Sequence, residues 1–439
     1  MSRRIPVTIG ALFVGGLLRS QSLYFPPVQT NQPWETVDPG SLGWCMDQLP
    51  PLLDLLEENH SKAFIVLKDG RIAIEQYFGM FTQDSVWYWA SAGKSLTSVL
   101  VGIAQQEGLL DIQAASSTYL GTGWTNCTPA QEAAITVRHQ LSMTTGLDDG
   151  VPDTDCTDPA CLQYLADPGT RWSYYNAPYT RLDGVISGAS GQSINDFLLS
   201  HLTPGTGIGG LYLPVGYNNI FFSKPRMMAR FGLLMLAQGT WNGDAILADE
   251  NYYNAMITPS QALNPAYGYL WWLNGQSAFM LPGSQLVFPG TLMPNEPADA
   301  FNALGKDAQI LNVVPSQGLV VVRMGETPDD NNGAVTPVFN DAIWELLNAI
   351  LCTDTGMPDA DSGTARAMPN PANDHIDLAF DPALGPGDLR IIDAMGTVRG
   401  SRIGVQGRLT MDVSGLSSGT YTVLFHGQAG TSVMKFVKE

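Results

Sequence analysis

The hydrophobic pattern of this 439-residue chain changes at a segment that begins at Thr353. From Thr353 to Asp374 the sequence contains several Pro, Gly, Asp and Ala residues and has no hydrophobic periodicity, which is typical of a linker. Before this segment strand-like and helix-like patterns are mixed, whereas after it short alternating runs are separated by turns rich in Gly and Ser. We therefore predict a main domain at 36–352, a linker at 353–366 and a C-terminal β-sandwich at 367–439.

The main domain has strand patterns near both of its ends. Residues Ala63 to Ile74 form two apolar runs around a Lys-Asp-Gly-Arg turn, which predicts a hairpin. Residues Ser91 to Gln106 and Val338 to Leu351 have helical patterns, and Leu319 to Arg323 is typical of a buried strand. Strands at both ends with helices between them favour an antiparallel sheet covered by helices.

The charge of the chain restricts its partners. A formal net charge of −19 argues against nucleic acid, since phosphate binding requires a basic surface. It also argues against adsorption on anionic lipid. The five histidines are scattered and no cysteine spacing resembles a zinc site, so we expect neither a metal nor another cofactor.

The N-terminus is typical of a secretory signal peptide, which we place at 1–22. Arg3 and Arg4 precede an uncharged run from Ile5 to Leu18, which is too short to span a bilayer. The alternative is a buried N-terminal helix. Five cysteines fit an oxidising compartment, so we expect export through the periplasm and no stable membrane span.

Ser91 and Lys94 are the first candidates for chemistry. Residues three apart share a helix face, so the Lys94 amine can lie beside the Ser91 hydroxyl. A hydroxyl becomes a good nucleophile when a base takes its proton, and burial can lower a lysine pKa far enough for that role. The alternative is an N-cap serine followed by a solvated lysine. A second copy of the spacing, Ser432 and Lys435, falls in a predicted edge strand, where the two side chains point to opposite faces.

The Ser91-x-x-Lys94 motif resembles the first motif of the class C β-lactamase and penicillin-binding-protein superfamily. Further stretches resemble its esterase-like members in the same order, over about Leu42 to Leu351: Ile135–Leu147, Pro168–Asn176, Met228–Gly243 and Tyr267–Trp272. The resemblance implies an α/β (α+β) fold in which an antiparallel sheet is flanked by helices and joined by an all-helical subdomain.

The stretch before Asn176 resembles the Tyr-x-Asn motif of that superfamily. By this resemblance Tyr174 is a second base that relays a proton to the leaving group, and Asn176 holds the Lys94 ammonium and a substrate carbonyl. Copies of the motif that begin at Tyr217 and Tyr252 also satisfy the spacing, but only the copy at Tyr174 follows a Pro-Gly turn. The alternative for Tyr174 is a packed aromatic ring.

The third motif departs from the superfamily pattern, which is Lys-Thr-Gly in β-lactamases and often His-x-Gly in esterase-like relatives. In Ala303–Ile310, Lys306 takes the lysine or histidine position and Ala308 the glycine position. The backbone N–H of Gln309 then becomes the second oxyanion donor, opposite that of Ser91. The Ala308 methyl counts against bulky β-lactam acyl groups. The alternative for Lys306 is an exposed lysine at a strand end.

The resemblance also places the first and last helices of the domain side by side. A disulfide between Cys45 and Cys352 is therefore the preferred pairing, while any pair among Cys127, Cys156 and Cys161 is possible.

The resemblance implies a serine hydrolase that cleaves a small-molecule ester or amide through an acyl-Ser91 intermediate. A β-lactamase, a D-amino-acid peptidase and a non-catalytic ligand-binding relative remain alternatives. The G-x-S-x-G sequence at Gly415–Gly419 is rejected as a nucleophile elbow, because it lies in a predicted β-turn near the C-terminus.

The tail resembles the C-terminal sorting domains of type IX secretion. The resemblance rests on Pro369–Asn373 and on the strands Gly419–Val423 and Lys435–Lys438. It implies the secretion machinery as a partner and a secreted or cell-surface location. The alternative is a carbohydrate-binding or stalk module.

Overall fold

The computed structural model describes residues 23–328, 337–352, 366–380, 382–393, 398–427 and 430–439. The chain divides into two compact units, Met1–Thr353 and Asp354–Glu439. The predicted signal peptide at 1–22 lies outside the described residues, as does nearly all of the predicted linker at 353–366.

The α-helices all belong to the first unit. They are α1 Leu49–Glu58, α2 Gly93–Gln106, α3 Ser117–Leu120, α4 Pro129–Ala134, α5 Val137–Leu141, α6 Asn176–Thr180, α7 Leu182–Ser190, α8 Ile194–His201, α9 Thr203–Thr206, α10 Pro225–Leu236, α11 Glu250–Met256 and α12 Pro337–Leu351. This statement covers the described residues.

The strands occur in both units. Those of the first unit are β1 Ser61–Lys68, β2 Arg71–Tyr77, β3 Trp87–Tyr88, β4 Leu211–Val215, β5 Asn218–Ser223, β6 Thr240–Trp241, β7 Asp244–Ala245, β8 Trp272–Leu273, β9 Ala278–Phe279, β10 Phe288–Pro289, β11 Phe301–Gly305, β12 Gln309–Val314 and β13 Leu319–Gly325. Those of the second unit are β14 Arg366–Met368, β15 His375–Ala379, β16 Gly387–Asp393, β17 Val398–Val405, β18 Arg408–Asp412, β19 Gly419–Gly427 and β20 Gly430–Lys438.

An antiparallel sheet of order β2-β1-β13-β12-β11-β8 forms the centre of the first unit. Leu311 of β12 lies against Gly232 of α10, while the Trp344 indole of α12 donates to the Asn312 side chain at 3.1 Å. Because successive strand residues point to opposite faces, α10 and α12 cover opposite faces of the sheet.

Short helices form a second region between the strands. Helices α3 to α9 lie between 117 and 206, and part of this region has its own small core around Trp124, Leu162 and Tyr175. The antiparallel sheet with flanking helices and a helical subdomain, predicted from the sequence, is confirmed.

Two disulfides lie in the first unit. Cys45 is joined to Cys352 with the Cα atoms 5.7 Å apart, next to α1 and α12, which pack together. Cys156 is joined to Cys161, and Cys127 is free.

The second unit consists of two antiparallel sheets, of orders β14-β15-β18 and β17-β16-β19-β20. The rings of Phe380 and Phe425 stack at 4.2 Å in its core. Ser432 and Lys435 lie in the edge strand β20, and Gly415 precedes β19 in a turn. The sequence predicted both placements.

The division into two units predicts that the first unit works alone. Deletion of residues from about 360 onward is expected to leave hydrolytic activity unchanged, because the first unit has its own core. It is also expected to prevent export, because the tail resembles a sorting domain. Activity of the purified truncated protein and its distribution between cells and medium are the measurements. A folded truncated protein without activity would show that the tail shapes the site.

Candidate active site

Ser91 lies in a 3-10 turn, Ala90–Ala92, directly before α2. The backbone before this turn is held on β5, since the Trp89 N–H donates to the Phe221 carbonyl at 2.8 Å. Ala90 has φ of 46°, in the left-handed region that residues other than glycine adopt rarely. The surrounding contacts therefore fix a strained turn that presents Ser91.

Lys94 lies one turn further on and points back at the serine. Its Nζ donates to Ser91 Oγ at 2.8 Å, and the residue is only 4% exposed. The Nζ atom also lies 5.1 Å from the ring centre of Tyr174 and 4.5 Å from that of Tyr179. Burial lowers the pKa of Lys94 to about 7, although the negative charge of Asp155 opposes the change. A large fraction of the amine is therefore neutral at neutral pH.

Tyr174 lies beside Ser91 and Lys94 in the same cavity. Its ring stacks on Trp272 with centroids 5.7 Å apart. Burial raises the pKa of Tyr174 far above its usual range, and the neighbouring Ser91 hydroxyl opposes this only in part. The group is therefore a neutral phenol at rest, able to donate a proton, while Lys94 is the stronger candidate for the base.

Asn176, the first residue of α6, faces the same cavity but does not bind the lysine. Its Nδ2 donates to Asp155 Oδ1 at 2.8 Å, and its buried Oδ1 has no partner among the described residues. The Lys94 amine donates to Ser91 instead. The expectation that Asn176 holds the ammonium is not met in this structure, because Asn176 Oδ1, the atom that could accept from Lys94, has no partner among the described residues. This oxygen is a buried acceptor beside the cavity.

Gly305, at the end of β11, makes the closest approach to the nucleophile turn. A Cβ atom at this position would lie 2.6 Å from the Trp89 carbonyl oxygen and 3.0 Å from the Ser91 nitrogen. Glycine is therefore required here, since the backbone atoms of the nucleophile turn leave no room for a methyl group. Gly305 thus occupies the place beside the serine that the sequence analysis gave to Ala308.

The assignment of Gln309 as an oxyanion donor is wrong. The Gln309 N–H already donates to the Lys306 carbonyl, and the residue is fully buried at the start of β12. The steric argument from Ala308 also fails, because Ala308 is buried in the turn rather than lining the cavity. Lys306 directly follows Gly305 and lines the cavity with Ser91, so its backbone N–H replaces that of Gln309 as the candidate.

Arg323 of β13 holds the turn that carries Lys306. Its fully buried guanidinium donates to the carbonyls of Asp307 and Ala308, at 2.6 and 3.1 Å. The Asp307 carboxylate in turn accepts from the Tyr88 hydroxyl. Asp307 and Ala308 both have positive φ, 59° and 52°. These bonds stabilise a backbone conformation that would otherwise be unfavourable.

One cavity of about 690 Å³ brings the candidate side chains together. It is lined by all five predicted catalytic residues: Ser91, Lys94, Tyr174, Asn176 and Lys306. Sequence reasoning missed Asp155, Tyr179, Gly305 and Arg323. Of these residues Gly305 has a sequence signal, because a glycine directly before Lys306 ends the strand β11.

Residues 53–337 match the family model described as Beta-lactamase. The chain belongs to the β-lactamase family. Members of this family are generally serine hydrolases, in agreement with the site around Ser91. No protein of curated function matches the chain by sequence.

Solved structures share the fold of this β-lactamase-family protein. A penicillin-binding-protein homologue from Caulobacter crescentus is 13% identical (TM-score 0.53; 70% of this chain and 98% of that chain). A family VIII carboxylesterase is 16% identical (TM-score 0.52; 72% and 98%). A β-lactamase from Mycobacterium bovis is 18% identical (TM-score 0.50; 68% and 99%). At these identities the likeness supports the fold alone.

Residues 366–439 match the secretion system C-terminal sorting domain. This domain belongs to type IX secretion, so the family member is secreted or attached to the cell surface. It implies an interaction with the secretion machinery. Within the described residues no helix is long and apolar enough to cross a membrane.

The Lys94 pKa predicts the pH dependence of the site. Because the lysine accepts a proton only when neutral, kcat/KM should rise with pH up to about 7 and then level off. Lys94→Met should lower kcat/KM at least about a thousandfold and raise thermal stability at pH 7, because it removes a buried amine. Lys68→Met, at the last residue of β1 and outside the cavity lining, is the control and should retain the wild-type pH profile. A wild-type rate that is independent of pH between 5 and 8 would contradict the role.

The close contact at Gly305 predicts a steric effect on catalysis. Gly305→Ala should lower kcat/KM roughly a hundredfold or more, since the nucleophile turn must move away from the methyl group. Steady-state kinetics with circular dichroism as a folding check provide the measurement. Gly40→Ala, where a Cβ atom meets only ordinary contacts of 3.5 Å, is the control. Full activity in Gly305→Ala would show that the two backbones are not closely coupled.

Proposed function

We propose that this protein is a secreted serine hydrolase that cleaves a carboxylic ester or amide through an acyl-Ser91 intermediate. The observation that carries the proposal is the buried Lys94 amine, whose Nζ lies 2.8 Å from Ser91 Oγ. A lysine with a pKa near 7 in contact with a hydroxyl is suited to activate it.

In the acylation step Ser91 Oγ bonds to the substrate carbonyl carbon, and its proton passes to the neutral Lys94 amine. The carbonyl π electrons move to oxygen, which becomes an oxyanion. Backbone N–H groups of Ser91 and Lys306 are the proposed donors to it, and Asn176 lines the cavity beside them.

Collapse of the intermediate breaks the bond to the leaving group. Tyr174 gives its phenol proton to the leaving oxygen or nitrogen and regains one from the Lys94 ammonium. The raised pKa of Tyr174 suits this role, because the phenol stays protonated until the leaving group develops charge. Water then attacks the acyl-serine by the same route, which regenerates Ser91 and releases the acid.

An ester without a carboxylate beside the scissile bond is the favoured substrate within this class. With Gly305 as the motif glycine, Ala303 takes the position that holds lysine in Lys-Thr-Gly, and it is buried. The strand thus lacks the motif lysine that would pair with the carboxylate of a β-lactam or a D-peptide, although Lys306 also lines the cavity. The β-lactamase and D-amino-acid peptidase alternatives are therefore weaker, and the buried base beside Ser91 argues against a non-catalytic binding protein.

Removal of the nucleophile tests the proposal. Ser91→Ala should reduce hydrolysis of p-nitrophenyl acetate at least about a thousandfold with little change in stability, because the acyl acceptor is lost. Intact-mass spectrometry after a fluorophosphonate should show one adduct on the wild type and none on the variant. Turnover of a chromogenic cephalosporin should be far slower than that of the ester. A variant that keeps a tenth of wild-type activity would show that another residue is the nucleophile.

A further inference from the structure

The small sheet β3-β5-β4 beside the catalytic cavity has an exposed apolar face. In its register Tyr88 pairs with Phe222, Leu211 with Phe222, and Leu213 with Ile220. Directly paired residues lie on the same face of a sheet, so these five side chains form one surface. We call this surface, together with Val215, the apolar face.

The outer strand of this surface is more exposed than an apolar strand normally is. Leu211, Leu213 and Val215 are 47%, 43% and 52% exposed, while the alternate residue Tyr212 is buried in the core. Strands with apolar side chains on both faces are typically covered by other groups on both faces. The outer side of β4 therefore indicates a binding surface.

The apolar face is continuous with the catalytic cavity. Tyr88, Ile220 and Val215 line the cavity that contains Ser91. Leu211 and Leu213 line a neighbouring groove of about 710 Å³, which is in the size range of ligand sites. Phe222 lines both spaces. An apolar path therefore runs from the cavity of Ser91 over Phe222 to the outer strand, and the three strands span about 10 Å at the usual strand spacing.

The surroundings favour a flexible hydrocarbon chain as the occupant. Lys224, the charged residue that lines the groove, is paired with Asp84 at 2.7 Å. The hydroxyls of Thr203 and Ser223 in the groove are also engaged, since both donate to backbone carbonyls, so that Gln29 and Thr30 are its remaining polar side chains. Strand addition by another protein is disfavoured too, because β4 contains Pro214, a residue typical of protected edge strands.

We propose that the apolar face binds the aliphatic chain of an ester substrate and makes the protein selective for medium-chain esters. This inference rests on the proposed function, since the chain is positioned by the ester bond held at Ser91. Each methylene group removed from water on the face should raise kcat/KM roughly fourfold, until the chain passes the outer strand.

The test measures kcat/KM for p-nitrophenyl esters from acetate to decanoate, and for acetates of alcohols of the same lengths, below micelle-forming concentrations. In the wild type the ratio of the best medium-chain ester to the two-carbon ester should be at least about a hundred in one series. The double variant Leu211→Gln/Leu213→Gln should lower that ratio at least tenfold and leave the rate on the two-carbon ester within twofold. Leu199→Gln, on α8 and 45% exposed, is the matched control and should change neither.

The outcomes separate the two proposals. Ester hydrolysis that depends on Ser91 but has equal rates for all chain lengths, or an unchanged ratio in the double variant, overturns the inference and leaves the proposed function intact. Absence of Ser91-dependent ester hydrolysis overturns both. If the double variant instead abolishes dimer formation in size-exclusion chromatography, or binding to zwitterionic phosphatidylcholine vesicles, with the chain-length ratio unchanged, the face serves another partner and the inference is wrong.

Discussion

The removal of one lysine amine from water is the constraint on which the site depends. Lys94 lies in the first turn of an almost wholly buried helix, and two tyrosine rings lie close to its Nζ. Holding the pKa of Lys94 near 7 costs roughly 4 kcal/mol of folding free energy at neutral pH. The large core of the domain has to offset that cost. The charge of Asp155 relieves part of this cost, but within the described residues Lys94 forms no ion pair, so the amine stays largely neutral.

Arg323 shows the opposite treatment of a buried cation. Its guanidinium donates to Ser61 and to four backbone carbonyls, among them those of Asp307 and Ala308, so its charge is fully solvated by the protein. Lys94 donates to one hydroxyl. Because Arg323 makes many hydrogen bonds, it fixes the turn after Gly305. Because Lys94 makes few, its ammonium form is poorly stabilised and the amine can act as a base. The site therefore combines a rigid turn with a reactive amine. Both depend on the number of hydrogen-bond acceptors that surround each cation.

The sequence analysis was accurate for features that depend on residues close together in the chain, and inaccurate for contacts between distant residues. Ser91 and Lys94 are three residues apart, and the Ala63–Ile74 hairpin, the Leu319–Arg323 strand and the tail strands follow local patterns, so these features were predictable. The role of Gln309 depends on which residue near a hairpin turn contacts the nucleophile turn, which lies more than 200 positions earlier in the chain. Local spacing carries no information on that contact. Gly305 is identified by its contact with Trp89 and Ser91. The partners of Arg323 and Asp155 are likewise set by tertiary packing.

The two sides of strand β4 have different roles, since the inner side packs on α2 and the outer side belongs to the apolar face. On the inner side the Tyr212 hydroxyl lies 3.0 Å from Thr97 Oγ1 and 3.4 Å from the Gly93 carbonyl oxygen, both in α2. The sheet is thus fixed to the helix that carries Lys94, and β5 also holds the turn before Ser91 through Phe221. A ligand on the outer side is therefore held at a constant distance from the nucleophile, since the same strand anchors both. Such rigidity is what positioning of a scissile bond requires.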